Sequence, residues 1–227
     1  MIHQIAEDVY QIALLRRNAI NAYLVDNILI DAGIKYSGPK LISAIGDKEV
    51  KAHAITHAHA DHQGASSFVC NHYQIPFWSS EAEKQYAETG NATAGYPYPN
   101  HLITKFQKKF WAGDGHPVQQ ILKEGDSVGT FRVVETPGHS KGHLSFFREK
   151  DGVLIVGDVL VNMNLLTTLP GLHEPPDLFT ADLEQNRESI KKIARLRPKI
   201  MCFGHGPVLY DKGELHTFCK KTGASSK

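Results

Sequence analysis

Apolar and polar positions along this chain fall into two blocks of short, alternating elements. In the first, "VYQIAL" at 9–14, "AINAYLVD" at 19–26 and "NILIDAG" at 27–33 read as strands, since their apolar residues come at every second position or in brief continuous runs. Asp26-Asn27 reads as the tight turn between the last two, because both residue types tolerate the positive φ of a hairpin turn. A short helix in "GPKLISAIG" and a strand in "EVKAHAIT" at 49–56 follow. The pattern then predicts a helix from His62 to about His72, a strand in "IPFWSS" at 75–80 and a helix in "SSEAEKQYAE".

From Gly90 to Gly125 the pattern lapses. Turn residues mix with aromatic and basic ones over a stretch longer than an ordinary connection, which predicts a loop and helix insertion at about 90–125. The second block resumes with strands in "TFRVVETP" at 130–137, "HLSFFRE" at 143–149 and "VLIVGDVL" at 153–160. After a Pro- and Gly-rich segment at 169–177, "TADLEQNRESIKKIARLRP" predicts a helix with Thr180 as N-cap, acids early, bases late, and an apolar stripe of Leu183, Ile190, Ile193 and Ala194. A last strand, "KIMCFGHG", ends at His205, and "GASSK" reads as a loose tail. There is no internal repeat. Strands and helices alternating in two blocks imply sheets covered by helices, an α/β (α+β) class, and residues 1–227 read as one domain.

Composition narrows the function classes. Hydrophobic residues make up 41 % and charged residues 22 % of the 227, and no apolar run approaches the ~20 residues of a membrane span. With 25 basic against 24 acidic residues the net charge is +1, so no global field argues for nucleic acid or membrane partners; a small-molecule substrate is expected, and the oligomeric state stays open. The start, "MIHQIAEDVYQIALLRR", lacks the basic front and long apolar middle of a secretory signal, so a cytoplasmic location is expected. Cys70, Cys202 and Cys219 stand far apart with no CxxC pair, which predicts buried thiols rather than disulfides or a thiolate site. Histidine is the unusual component, at 13 residues.

Position shows what the histidines are for. In "THAHADHQG" at 56–64, His57 and His59 lie two apart on an extended segment, so both rings can address one point in space. Asp61 and His62, one turn on, point elsewhere and can begin a second site. Neither pair completes the four or five ligands of zinc or a similar ion. Three further candidates stand just past apolar strands, each after a glycine: His139 in "TPGHSKGH", Asp158 in "LIVGDVL" and His205 in "CFGHGP". His143 is a candidate for a supporting hydrogen bond. His53, four residues before His57, belongs deep in the sheet or on its far face.

This ordered series resembles the metallo-β-lactamase superfamily over nearly the whole chain, to about residue 210, with the HxHxDH motif written here as "HAHADH". The resemblance implies a four-layer αββα sandwich. It implies that His57, His59 and His139 hold one metal, that Asp61, His62 and His205 hold another, and that Asp158 bridges the two. Two divalent ions, Zn²⁺ first and Fe or Mn as alternatives, would then share a bridging hydroxide that cleaves an ester, lactone or thioester bond, with Asp61 and Asp158 also orienting its proton. The chain carries no P-loop.

Within the superfamily the resemblance leaves several substrates. Glyoxalase II enzymes add a helical C-terminal domain, whereas 22 residues follow His205 here. Acyl-homoserine lactonases usually carry a tyrosine three residues past the bridging aspartate, where this chain has Val161. True β-lactamases generally lack the aspartate at position 158, and nucleases of the superfamily use an added arm for RNA. Persulfide dioxygenase-like members hold a single iron through the positions of His57, His139 and Asp158, an oxidoreductase alternative; a phosphodiesterase is another. Tyr96, Tyr98, Phe106, Phe110 and Trp111 of the insertion are candidates to line a mouth for an acyl substrate, with Lys105, Lys108 or Lys109 near an anionic group.

Overall fold

The computed structural model describes residues 2–222; the "GASSK" tail lies outside the described residues. The first sheet consists of β1 (Ile2–Ala6), β2 (Val9–Ala13), β3 (Asn21–Val25), β4 (Ile28–Ile30), β5 (Ala52–Ala54), β6 (Phe77–Ser79) and β7 (Gln120–Ile121), hydrogen-bonded in that order. Its first four strands form antiparallel meanders. The turn between β3 and β4 is the expected Asp26-Asn27, with φ of 47° and 67°, and it pairs Val25 with Ile28. From β4 to β7 the pairing is parallel, so each step needs a crossover. The crossovers are α1 (Gly38–Ile45), then α2 (Ser66–Tyr73), then a longer excursion through α3 (Lys84–Thr89) and α4 (Leu102–Phe110). That excursion holds most of the insertion expected at about 90–125, whose last residues instead include β7 of the sheet.

The second sheet uses β8 (Ser127–Val128), β9 (Phe131–Glu135), β10 (Leu144–Arg148) and β11 (Val153–Gly157) and, beyond a small ribbon of β12 (Val161–Met163) and β13 (Pro170–His173), also β14 (Ile200–Phe203) and β15 (Leu209–Tyr210). β11 pairs with β14 in parallel across α5 (Leu183–Arg195), and α6 (Glu214–Lys221) follows β15.

Side-chain alternation explains why two sheets stack and still carry helices outside. Val133, Phe146, Ile155 and Cys202 face the first sheet and join Val9, Tyr23, Val25 and Ile30 in one core between the sheets. Their neighbours Val134, Phe147, Leu154, Val156 and Met201 point the other way, onto Ile190 and Ile193 of α5 and Leu215 of α6. On the far side Ile12, Leu24 and Leu29 meet Leu41 and Ile45 of α1 and Val69 of α2. With period two and both faces apolar, each central strand is buried twice over, at roughly 1.5–3 kcal/mol per large aliphatic or aromatic side chain. The result is the expected αββα sandwich. Cys70, Cys202 and Cys219 are buried free thiols, as expected.

Two boundaries differ from expectation in ways that bear on the site. The second helix begins at Ser66 rather than His62, because Asp61 to Gly64 form turns that hold side chains at the sheet edge. The long helix is capped by Asp182, whose carboxylate accepts from the Gln185 N–H at 2.9 Å, not by Thr180. Thr180 is instead buried against His139.

Candidate metal centre

Strand direction brings the candidates together. β4 and β5 run parallel in one sheet; in the other, two antiparallel steps make β9 parallel to β11, which is parallel to β14. The residues just past these strands, Asp31, His57 to His62, His139, Asp158 and His205, therefore gather at one edge of the sandwich. All seven expected side chains are buried there. Ligand atoms of three sets, His57 with His59 and His139, His57 with His62 and Asp158, and Asp61 with His62 and His205, lie within 4.8 Å of one another.

The outer nitrogen of most rings is already occupied, which leaves the inner one facing the centre. His62 Nδ1–H donates to Asp31 Oδ2 at 2.9 Å, and His205 Nδ1–H donates to the Ala19 carbonyl at 2.5 Å. Thr56 Oγ1–H donates to Asp31 at 2.9 Å and so can accept from His57 Nδ1–H at 3.0 Å. Thr180 Oγ1–H donates to the Pro176 carbonyl at 2.9 Å and accepts from His139 Nδ1–H at 3.3 Å. Such outer partners fix the tautomer that presents a lone pair inward. Inside the cluster, His139 Nε2 and His59 Nδ1 stand 3.0 Å apart, a spacing suited to neighbouring ligands of one small cation. Asp158 Oδ2 lies 3.1 Å from His205 Nε2, 3.4 Å from His62 Nε2 and 3.7 Å from His139 Nε2, between the two sets of histidines.

Three inward atoms, His57 Nε2, His62 Nε2 and Asp158 Oδ1, are buried without a hydrogen-bond partner among the described residues. Orphaned lone pairs on histidine and carboxylate are costly in an apolar interior and are the donor set of a divalent transition metal. The residues present therefore fit a metal.

Electrostatics agree. Burial pushes the His57 and His59 rings well below their ordinary value and His139 down to about 4, so these three are neutral donors near neutral pH. Burial also acts to lower His205, but Asp158 and Asp61 outweigh it and lift that ring to about 10. His62 is raised the same way against its burial, by Asp158 and Asp31. For Asp61 burial acts upward, yet the His205 hydrogen bond and charge bring it to about 2. Two buried carboxylates thus demand positive charge, either as protons on His62 and His205 or as cations.

Several supporting residues escaped the reading of the sequence. Asp31, at φ 60°, binds Thr56 through both its backbone N–H, at 2.8 Å, and its hydroxyl, and also holds His62. It ends the apolar run "ILID" just as Asp158 ends "LIVGD", so the signal that found one could have found the other. Glu83 accepts from the Ala58 N–H at 3.0 Å and the Gly142 N–H at 2.8 Å, clamping two ligand loops together. Asn21 Nδ2 donates to the Phe203 and Gly206 carbonyls at 3.0 and 2.8 Å and steadies the loop of His205. No pattern marks either one. His143 does support the site: its Nε2 accepts the Asp158 N–H at 3.0 Å. Gly157, with φ 60°, leaves room for that ring, since a Cβ there would come within 2.5 Å of His143 Nε2. His53 sits deep in the sheet, bonded to the Leu29 carbonyl at 3.0 Å and Ser66 Oγ at 2.8 Å.

A cavity of about 240 Å³ opens onto His59, Asp61, His139, Asp158 and His205. Its walls are mostly apolar, from Leu15 and Ile20, from Tyr96, Ile103 and Trp111 of the insertion, and from Val161, Met163, Leu165 and Phe179. Tyr96 packs edge-on against His59, ring centres 4.4 Å apart. Of the aromatics expected at the mouth, Tyr96 and Trp111 line this cavity, while Tyr98, Phe106 and Phe110 are exposed outside it. No lysine lines it.

A histidine and aspartate cluster able to hold a metal thus lies on the strand-end loops of an αββα sandwich, beneath an apolar cleft. A model of the metallo-β-lactamase superfamily matches residues 15–205, and the chain belongs to that superfamily. It is 31 % identical over 201 residues to the probable metallo-hydrolase YflN of Bacillus subtilis, a match covering 79 % of this chain and 75 % of that one. A hydroxyacylglutathione hydrolase of Bdellovibrio bacteriovorus is 28 % identical over 159 residues, covering 68 % of this chain but 48 % of the relative. Among solved structures, that of the BLEG-1 B3 metallo-β-lactamase superposes with a TM-score of 0.69 at 27 % identity, covering 92 % of this chain and 95 % of that one. No helix among the described residues is long and apolar enough to cross a membrane.

Proposed function

We propose that this chain is a dinuclear metal-dependent hydrolase of an apolar ester, lactone or thioester. The observation that carries the reading is the set of three orphaned inward atoms on His57, His62 and Asp158, shared between two separate histidine groups. His57, His59 and His139 would hold one divalent cation, and Asp61, His62 and His205 the other, with Asp158 common to both. Zinc suits this mixed imidazole and carboxylate set, and iron or manganese are the alternatives. Bound there, two such cations supply Lewis-acid activation of water and of the scissile carbonyl.

The remaining work falls to the chain. Asp61 and Asp158, ionised at neutral pH, are acceptor-only groups that orient a proton of the attacking water. Asp31 and Thr56 hold His57 and His62 rigid. The apolar walls exclude bulk water and seat an apolar acyl portion beside Trp111 and Met163, so that its carbonyl lies over the cluster. Hydrolase-named relatives favour hydrolysis over the single-iron oxidative alternative.

The test is a panel of esters, lactones, thioesters, β-lactams and phosphodiesters, run on protein of measured metal content beside His59→Ala and Asp158→Ala. Turnover of an acyl substrate that both variants lose supports the reading. One iron per chain with oxygen uptake on a persulfide, or equal rates in all three proteins, defeats it.

A further inference from the structure

The rim of the cavity is built unlike the rest of the surface. Three segments border much of the mouth, residues 14–20, 95–112 and 161–173, with Leu15, Ile103 and Leu165 lining the cavity from each in turn, and a fourth, 174–180, adds Pro176 and Phe179. Arg17 ties the first to the third by donating to Thr168 Oγ1 at 2.7 Å. At 3.6 residues per turn, Leu102, Ile103, Phe106 and Phe110 share one exposed side of α4, next to the mouth, and Lys105, Lys108 and Lys109 occupy the adjoining side. Across the mouth, Leu165, Leu166 and Leu169 project from the turn between β12 and β13. Leu166 is 96 % exposed and Leu102 79 %.

Charge is equally lopsided. The first three segments contain Arg16, Arg17, Lys105, Lys108 and Lys109 and no aspartate or glutamate, while the fourth brings Glu174, which pairs with Arg187, and the exposed Asp177; the whole chain balances 25 bases against 24 acids. None of the five cations enters an ion pair among the described residues. A second copy docked face to face through this rim would set cations against cations. Single leucines raised beside unpaired lysines and arginines match instead an anionic lipid surface, which accepts the apolar tips below its headgroups and the cations at their level.

We infer that the rim of the cavity is a docking surface for anionic lipid bilayers, which puts the mouth of the site at the headgroup level. The inference stands apart from the hydrolase reading, because docking requires neither metal nor turnover. It is tested by flotation of the full chain with vesicles of equimolar phosphatidylglycerol and phosphatidylcholine at low salt, beside pure phosphatidylcholine. Binding is expected to the anionic vesicles and to weaken with salt. The Lys105→Gln/Lys108→Gln/Lys109→Gln variant should bind them more weakly by roughly fivefold per cation, on the order of a hundredfold in all. Leu166→Gln/Leu169→Gln should lose about tenfold. These side chains are exposed, so an unchanged melting temperature shows that the variants fold. No flotation of the wild type, binding that the leucine variant leaves untouched, or a dimer that the same variants dissociate would each overturn the inference.

Discussion

The floor and the rim of the cavity obey opposite rules. On the floor every ligand is buried, most rings are held at the outer nitrogen by a named partner, and the inward atoms lack partners. At the rim, Leu102, Phe106 and Leu166 are exposed, and Arg16, Arg17, Lys105, Lys108 and Lys109 enter no ion pair among the described residues. A floor of this kind must be rigid, because the positions of its lone pairs decide which cation it holds and how tightly. The rim has no such demand, so its residues can suit whatever arrives. Substitutions on the floor should therefore act through metal content and rate, and those at the mouth through substrate selection.

The largest expected effect is at the bridge. Asp158→Ala removes the donor proposed to serve both cation sites, and a loss of several kcal/mol of transition-state stabilisation would lower kcat/KM on the order of 10³-fold. Metal content, measured on the same sample, should fall too. One layer out, Asp31→Asn keeps a residue that tolerates φ 60° but removes the carboxylate that holds His62 and Thr56. Metal retention, read by chelator competition, should weaken about 10–100-fold. A floor that ignored Asp31→Asn would not depend on its outer partners as described.

How much of this was legible in the sequence follows the same division. The seven candidate ligands announce themselves because polar residues past apolar strands are unusual and because four of them share one hexapeptide, 57–62. Asp31, past the apolar run at 28–30, carries the same signal. Glu83 and Asn21 act on backbone groups of segments up to 185 residues away, and no local spacing encodes such a contact. The αββα layering was implied by the resemblance, and the alternation of Val133 with Val134 and of Phe146 with Phe147 supplies its physical reason. Thr180 fits the rule that favours Ser, Thr, Asp or Asn before a helix, but Asp182, two residues on, is the residue whose carboxylate caps α5. In the insertion, composition identified aromatic residues but could not sort the inward Tyr96 and Trp111 from the outward Tyr98, Phe106 and Phe110. For Phe106, Phe110 and Trp111 that sorting depends on how α4 is rotated against the cleft, and for Tyr96 and Tyr98 on the path of the loop before it.

Smaller effects sharpen the comparison. Trp111→Ala enlarges the mouth without touching a ligand, so KM for a substrate with an apolar acyl group should rise about tenfold with kcat nearly unchanged. A fall in kcat with KM constant would place Trp111 on the floor instead. Smallest is a pH effect remote from the metal. Burial holds the His53 ring down to about 4 from an ordinary 6.5, so the folded state binds fewer protons than the unfolded one between those values. This contribution to stability is intact above pH 6.5 and is lost progressively as the pH falls to about 4. In His53→Gln, denaturation midpoints should fall less steeply over that window, by up to about 1.4 kcal/mol per pH unit. Identical slopes would mean that His53 titrates freely in the fold.

The most direct measurement is anomalous diffraction from crystals of the metal-loaded protein, collected at the absorption edge of the bound element. Two peaks are expected, one among His57, His59 and His139, the other among Asp61, His62 and His205, with the Asp158 carboxylate in contact with both. A single peak at full occupancy, or density that leaves Asp158 unbound, would contradict the dinuclear account.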